Sequence, residues 1–271
     1  MNRKWLATPY MIWIVGFIVI PLIFIFGRAF SATSGGFTIE NVIAIFSPIH
    51  RKALILSLET AFITTLLCII LAYPLALILR NSKMKQSSMV LIILILPMWM
   101  NFILRILALQ MILSNNGILN FILSSFGLKP LQIINTKYAI ILGMVYDFLP
   151  YMILPIMNSI LAIDKNYIEA AKDLGANKYQ VFLKIIFPLS LPGVGSGITM
   201  VFVPSMTAFV VSNILGGGKT LLLGNVIEQE FMTSMNWNLG SGLSVALMCF
   251  ILITSFVFGN NDDADGGRML W

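Results

Sequence analysis

The stretch EAAKDLGANKYQVFLKIIFPLSLPGV, Glu169 to Val194, separates two long apolar runs of the chain. It gathers charged residues, small residues and a glycine in a sequence that is 58% hydrophobic and only 10% charged. A soluble domain carries roughly 25% charged residues. The composition therefore indicates an integral membrane protein, in which this polar stretch is a loop between two spans.

Apolar runs on either side of this stretch define the fold class. A spanning helix needs about 20 mostly apolar residues. None of the runs alternates with the two-residue period of a barrel strand, so we expect an all-α membrane protein, a six-helix bundle. Six runs qualify, namely Tyr10–Phe26, Leu54–Leu79, Met89–Leu113, Tyr138–Ile163, Leu191–Leu215 and Ser241–Phe258.

Basic residues set the expected orientation. With the amino terminus inside, the inner segments hold ten of the 17 lysines and arginines and the outer segments hold six. Since cytoplasmic loops are enriched in basic residues, both termini and the Glu169 stretch are predicted to be cytoplasmic. The first run is long for a signal peptide, follows Pro9 and contains Pro21, so a retained helix is favoured over a cleaved leader.

Several kinds of chemistry are excluded by the residues present. His50 is the single histidine, and the two cysteines, Cys68 and Cys249, lie in apolar runs without the spacing of a metal or redox site. The sequence GGGKT at 216–220 looks like the end of a phosphate-binding loop, but Asn213 stands where that loop needs a glycine. We therefore predict no catalytic residues, no metal and no nucleotide bound by this chain. The net charge of +6 is attributed to basic loops, not to nucleic-acid binding.

Short helices are predicted within the polar stretch. Ile168–Leu174 holds strong helix formers, and Gly175 is expected to end that helix because glycine takes left-handed angles without cost. Lys178–Phe187 forms a second helical piece, after which Pro188 and Pro192 mark the start of the next span. From physical chemistry alone, an amphipathic loop lying on the bilayer surface is one interpretation.

The spacing of residues in this stretch supports a more specific interpretation. Glu169-Ala170-Ala171, three residues, Gly175, nine residues, Ile185, one residue and Phe187-Pro188 resemble the EAA signature of ABC importer permeases. Leucine is usual where this chain has Phe187. In that family the loop is a coupling helix that docks into an ATP-binding subunit. The resemblance implies that the ATPase-coupling residues are Glu169, Ala170, Ala171, Leu174, Gly175, Ile185 and Pro188.

Two further segments carry a narrower resemblance. Pro97, Trp99–Asn101 and Leu104–Arg105 are similar to the third-helix region of polyamine permeases. LGGGKTLLLGNVIEQEF, residues 215–231, with the following Asn236-Trp237, is similar to the stretch between the last two helices of spermidine/putrescine permeases of the PotB type. The resemblance thus covers nearly the whole chain and implies the type I importer (MetI-like) transmembrane fold.

This resemblance implies a permease subunit of an ATP-driven polyamine importer in a prokaryotic inner membrane, working by alternating access. The implied partners are two ATP-binding subunits that hold ATP and Mg, a second homologous permease, an extracytoplasmic polyamine-binding protein and membrane lipid. The chain itself is expected to bind no cofactor. An ATP-independent cation carrier or channel is the alternative function.

A path for polyamines should offer carboxylates for the ammonium groups, aromatic faces and apolar wall. Ionisable residues within spans are functional candidates by default, and Asp147 is either paired with Arg105 or in contact with substrate. Glu59 lies near the start of its span and is expected to reach the interface. Trp99 either packs in the core or lines the pore, and Glu228 either receives substrate or is only solvated. The candidate substrate-pathway residues are Trp99, Asn101, Arg105, Tyr146, Asp147, Glu228 and Trp237.

The chain is expected to divide into three parts. Residues 1–53 form an N-terminal helix and outer loop, and residues 54–258 form the permease domain with a cytoplasmic coupling loop at 164–190. Residues 259–271 include the tail NNDDADGGRMLW, which departs from the basic ends usual in the family. We predict that this tail is disordered.

Overall fold

The computed structural model describes residues 8–32, 35–81 and 96–259, and most of these are helical. Six helices in this part of the chain are long and apolar enough to cross a membrane, which confirms the predicted all-α class. The tail from residue 260 lies outside the described residues. In chain order, spans 1 to 6 are Pro9–Ala29, Pro48–Arg80, Phe102–Ser125, Lys137–Ala162, Lys178–Met206 and Trp237–Phe256.

Shorter elements and breaks complete the architecture. Span 1 consists of helices Thr8–Ile14 and Ile20–Ala29 around a π-helical turn, Val15–Val19. Before span 2 lie a helical turn and a 3-10 turn, Glu40–Ile43 and Ala44–Phe46. Span 3 breaks between Phe102–Leu113 and Ile118–Ser125. Two helices, Phe209–Gly216 and Leu223–Met232, separate span 5 from span 6.

Within the described residues, the continuous helix of span 3 begins at Phe102. The apolar run begins at Met89, and residues 89–95 of that prediction lie outside the described residues. Leu96–Trp99 forms a 3-10 turn, and the helix begins at Phe102 because the Asn101 side chain caps it. Trp99 thus lies in the 3-10 turn that precedes this helix.

Span 5 begins earlier and ends earlier than the predicted Leu191–Leu215. Its helix runs without a break from Lys178 through a π-helical turn, Phe182–Ile186, to Met206. The prediction that Pro188 and Pro192 separate the loop helix from the span is wrong. Pro188 is the second residue after the π-helical turn, which already interrupts the usual i to i−4 hydrogen bonds that a proline cannot make.

Span 4 forms the centre of the bundle and packs against spans 2 and 5. In the most apolar 18-residue segment of span 4, 56% of the residues are buried, whereas none are buried in the corresponding segment of span 1. Lipid tails are as apolar as leucine, so helices in a membrane associate through small residues that let backbones approach. Span 2 has such a face, made of Ser57, Thr60, Ala61, Thr64, Thr65, Cys68, Ala72 and Ala76, all buried.

Two glycines set the closest contact between spans 4 and 5. Gly193 and Gly197 are four residues apart and share one face of span 5. A Cβ atom at Gly193 would lie 2.5 Å from the Pro155 carbonyl oxygen, and one at Gly197 would lie 2.6 Å from the Met152 sulfur. Only glycine fits this contact at Gly193, since the nearby carbonyl belongs to backbone that cannot swing away.

The two ends of the bundle are defined by contacts between spans. At the loop end, where residues 164–178 lie, Arg80 Nη2 donates to the Ile163 carbonyl oxygen at 3.4 Å. At the opposite end, Lys137 Nζ donates to Glu59 Oε1 at 2.8 Å. Glu59, eleven residues after the first residue of span 2, is thus joined to the start of span 4 through an ion pair that is partly exposed.

We predict that Gly193→Leu destabilises the bundle. Overpacking a well-packed core costs about 1–3 kcal/mol, and more where backbone blocks the new side chain. The matched control is Gly27→Leu, because a Cβ at Gly27 meets nothing within 4 Å. Thermal unfolding in detergent should show a lower midpoint for Gly193→Leu alone. Equal losses in the two variants would contradict the assigned contact.

Candidate coupling loop and substrate path

The first helix of the loop runs Lys165–Asp173, three residues earlier at its start than predicted. It begins there because Asp164 caps it: Asp164 Oδ1 accepts a hydrogen bond from the Asn166 backbone N–H at 2.9 Å. A carboxylate at this position also interacts favourably with the helix dipole. The helix therefore has a defined start without support from the rest of the bundle.

Gly175 ends this helix as predicted. Its φ is +81°, in the left-handed region that favours glycine. The Ala176 N–H donates to the Ala171 carbonyl at 2.9 Å, and the Gly175 N–H donates to the Lys172 carbonyl at 2.9 Å. This pair of bonds is the Schellman motif, which satisfies carbonyls left open at the helix end.

The second helix of the loop starts from a reciprocal cap. Asn177 Oδ1 accepts from the Gln180 backbone N–H, and Gln180 Oε1 accepts from the Asn177 backbone N–H, both at 2.9 Å. This capping box fixes the first turn of the helix that continues into span 5. The loop is thus a rigid corner of two capped helices.

The predicted coupling residues form a surface on this corner that the described chain leaves uncovered. Leu174 is 88% exposed although it is a large apolar residue. Glu169, Ala170 and Pro188 are exposed as well but lie outside the lining of the hollow. A hollow of 310 Å³ beside Leu174 is lined by Ala171, Leu174, Gly175, Ala176, Gln180, Val181, Lys184 and Ile185. An exposed apolar residue beside a hollow, on a rigid loop, is typical of a docking surface.

Tyr73 joins span 2 to the base of this loop, a contact that sequence reasoning missed. Its hydroxyl lies 2.6 Å from Ser190 Oγ, and Ser190 Oγ donates to the Phe187 carbonyl at 2.9 Å. With Ser190 donating, the tyrosine O–H donates to the serine oxygen. The Tyr73 ring also packs edge-on against Phe182 at 5.8 Å. The sequence did indicate that Tyr73 makes a polar contact, because a tyrosine in an apolar run needs a hydrogen-bond partner for its hydroxyl.

Arg105 and Asp147 form an ion pair inside the bundle. Arg105 Nε lies 2.5 Å from Asp147 Oδ1, and the two side chains are 8% and 0% exposed. Asp147 is ten residues into the 26-residue helix of span 4, about 15 Å along it at 1.5 Å per residue. Asp147 was expected either to pair with Arg105 or to contact substrate, and the structure contains the pair with Arg105.

Tyr146 lies beside this pair. The Arg105 guanidinium carbon lies 5.9 Å from the centre of the Tyr146 ring. Tyr146 is 44% exposed, so one side of it contacts Arg105 and the other is open to the outside of this chain. The predicted contact of Tyr146 with substrate stays a prediction.

Trp99 and Asn101 lie just before the helix that carries Arg105. Trp99 is 85% exposed, so it does not pack in the core of this chain. Asn101 Oδ1 accepts from the backbone N–H groups of Ile103 at 2.9 Å and Leu104 at 3.3 Å. The structure gives Asn101 the role of a helix cap.

Glu228 and Trp237 lie at the opposite end, apart from the Arg105 pair. Glu228 Oε2 accepts from Asn213 Nδ2 at 3.0 Å, and Asn213 Oδ1 accepts from Asn225 Nδ2 at 2.7 Å. The Trp237 ring packs edge-on against Phe231 with centroids 5.5 Å apart. The predicted pathway residues therefore form two groups, one mid-span and one at the opposite end.

This fold and these sites fit one class of protein. Residues 68–262 match the family of binding-protein-dependent transport system inner membrane components. The chain belongs to that family, the permease subunits of transporters that work with a binding protein, which are not themselves enzymes.

Curated relatives narrow the class. The spermidine/putrescine transport system permease protein PotB of Haemophilus influenzae is 37% identical over 254 residues, covering 91% of this chain and 89% of that protein. The protein of the same name from Escherichia coli K12 is 39% identical over 243 residues, covering 87% and 88%. The resemblance predicted from sequence is thereby confirmed.

A solved structure supports the fold. A bacterial ABC transporter involved in the import of the acidic polysaccharide alginate contains a chain with a TM-score of 0.80 and 16% identity. The match covers 98% of this chain and 97% of the other. The fold is therefore that of ABC importer permeases, as predicted.

We predict that Asp147→Leu destabilises the protein more than the double variant Arg105→Met/Asp147→Leu. Removing one member of a buried ion pair costs about 3–5 kcal/mol, whereas replacing both with apolar residues is often neutral. Unfolding midpoints of the two single variants and the double variant give the coupling. A double variant as unstable as the sum of the singles would contradict the pair. A stable double variant that no longer transports would indicate substrate contact.

We also predict that Tyr73→Phe loosens the base of the loop. Losing the hydroxyl costs about 1 kcal/mol of unfolding free energy while the ring contacts remain. Limited trypsin digestion should then cleave faster after Lys178 and Lys184. Tyr138→Phe is the control, since Tyr138 is 66% exposed. Identical cleavage rates in both variants would argue against the contact as a support.

Proposed function

We propose that this chain is a permease subunit of an ATP-driven importer of polyamines in a prokaryotic inner membrane. The observation that carries ATP coupling is the rigid loop with its exposed Leu174. The substrate class rests on the identity of 37% and 39% to two spermidine/putrescine permeases over about nine-tenths of each protein. In this proposal the loop end faces the cytoplasm and both termini are cytoplasmic.

The coupling loop, residues 164–190, docks on an ATP-binding subunit. Leu174 enters that subunit, and Glu169 and Ala170 lie on the exposed side of the first helix. Two such subunits hold ATP and Mg, and one of them binds the loop of a second, homologous permease. An extracytoplasmic polyamine-binding protein delivers substrate at the opposite end.

ATP binding closes the two ATP-binding subunits and moves the coupling loops. Because the second loop helix continues into span 5, a displacement of the loop moves that span directly. Tyr73 transmits part of the motion to span 2. ATP thus shifts the bundle between inward-open and outward-open states by binding one of them better.

The substrate passes between this chain and the second permease. Residues 54–258 act as the permease domain, and residues 1–53 add a helix and an outer loop at its edge. Trp99 and Tyr146, both exposed, supply aromatic faces for ammonium groups along the path. The Arg105–Asp147 pair lies beside Tyr146 in the middle of the membrane.

The test uses Gly175→Asp in the assembled transporter. A side chain at this left-handed position costs about 1–2 kcal/mol of backbone strain and adds a charge beside the docking tip. We expect ATP-dependent uptake of radiolabelled spermidine and putrescine into proteoliposomes to be lost while the protein stays in the membrane.

Two controls separate strain from docking. Gly127 has a φ of +71° and, like Gly175, has open space where a Cβ would be added, with nothing within 4 Å, so Gly127→Asp carries the same strain at the opposite end. Gly175→Ala adds strain without charge. Uptake retained by Gly175→Asp would refute coupling through this loop. Uptake without ATP would support the carrier or channel alternative.

A further inference from the structure

A cavity of 460 Å³ lies at the opposite end of the bundle, between the end of span 5, helix Leu223–Met232 and span 6. Ligand pockets typically have volumes of about 300–1,000 Å³. Its walls are Thr207, Phe209, Gly224, Ile227, Glu228, Phe231, Met232, Ser244, Leu247, Met248 and Ile251. We call this space the outer chamber.

Among the described residues that line the outer chamber, Glu228 is the one with an ionisable side chain. The two ion pairs found among the described residues, Arg105–Asp147 and Lys137–Glu59, use the other candidate carboxylates. Glu228 instead accepts a hydrogen bond from the neutral amide of Asn213. Its negative charge is therefore held in place without being neutralised by a cation of the described chain.

Two features shape the outer chamber: the end of the span 5 helix at Met206 and the close approach that Gly224 allows. Span 5 ends at Met206, and Ala208 has a non-helical ψ of 53°, so the chain turns before helix Phe209–Gly216. Gly224 permits close approach there, since a Cβ would lie 3.2 Å from the Thr207 carbonyl oxygen. Leu223 N–H donates to Ser57 Oγ at 2.8 Å and fixes helix Leu223–Met232 on span 2.

The chemistry of these walls defines a ligand class. A carboxylate attracts an ammonium group, the aromatic residues Phe209 and Phe231 in the lining can add cation–π attraction, and Ile227 and Leu247 suit methylene groups. A neutral apolar ligand would not need the carboxylate, and an anion would be repelled by it. The walls therefore match an alkyl chain that ends in an ammonium group.

We propose that the outer chamber binds one ammonium-bearing end of a polyamine, with Glu228 as the charge partner and Asn213 as its positioning residue. The choice of polyamine as ligand rests on the proposed function. One carboxylate among the described wall residues serves one ammonium, so affinity stays modest and the substrate can move on.

The test measures cation attraction without relying on transport. Met248→Cys places a thiol in the wall of the outer chamber. The variant is made in a Cys249→Ser background and reconstituted as the full transporter with cysteine-free partner chains. Two reagents of similar size are compared, the cationic aminoethyl and the neutral hydroxyethyl methanethiosulfonate. We expect Glu228→Gln to reduce the cationic-to-neutral rate ratio roughly tenfold, because it removes one nearby charge. Glu230→Gln, two residues away and outside the lining, should leave the ratio unchanged.

Spermidine should slow modification when Glu228 is present and lose that effect in Glu228→Gln. A thiol that neither reagent reaches, a ratio unaffected by Glu228→Gln, or no protection by spermidine would each overturn the proposal. Radiolabelled spermidine uptake by the same proteoliposomes tests the proposed function separately. A preference for the cationic reagent without spermidine uptake would refute the importer function but not the outer-chamber site. Uptake without that preference would refute the outer-chamber site but not the importer function.

Discussion

Inside a bilayer a polar group finds no water, so the polar side chains of the spans must be satisfied by other parts of the protein. This constraint decides which polar side chains of the spans meet. It brings Arg105 to Asp147 and the Tyr73 hydroxyl to Ser190, and it returns the Thr65 hydroxyl to the carbonyl of Ala61 on its own helix. The first two contacts join helices that apolar packing alone would leave free to slide, because lipid competes equally well for leucine.

The same constraint separates the rigid parts of the molecule from the surfaces left for partners. Gly193 lets the backbones of spans 4 and 5 approach closely, and the face of small residues on span 2 packs against the core. The coupling loop obtains its rigidity from its own caps at Asp164, Gly175 and Asn177. It therefore keeps its shape while exposing an apolar tip, as a loop must if it is to bind a separate chain repeatedly.

Sequence predicted the features that are encoded locally. Six apolar runs gave six spans, and Gly175 ended its helix where the pattern placed it, since both depend on neighbouring residues. The start of a helix differed from the prediction where one capping side chain decides it, as at Asp164. The Tyr73 contact was missed because its partner Ser190 is 117 residues away. The sequence could not decide whether Asp147 pairs with Arg105, because the two residues lie on different spans.

The unbroken helix from Lys178 to Met206 has a mechanical consequence. Its 29 residues extend about 43 Å at 1.5 Å per residue, more than the thickness of the hydrocarbon core. Such a rod works as a lever: a tilt of about 5° at one end sweeps the other through roughly 4 Å. The residue directly beyond its far end is Thr207, which lines the outer chamber together with Glu228. Under the proposed function, a small displacement of the loop is therefore carried along this helix to the wall of that chamber.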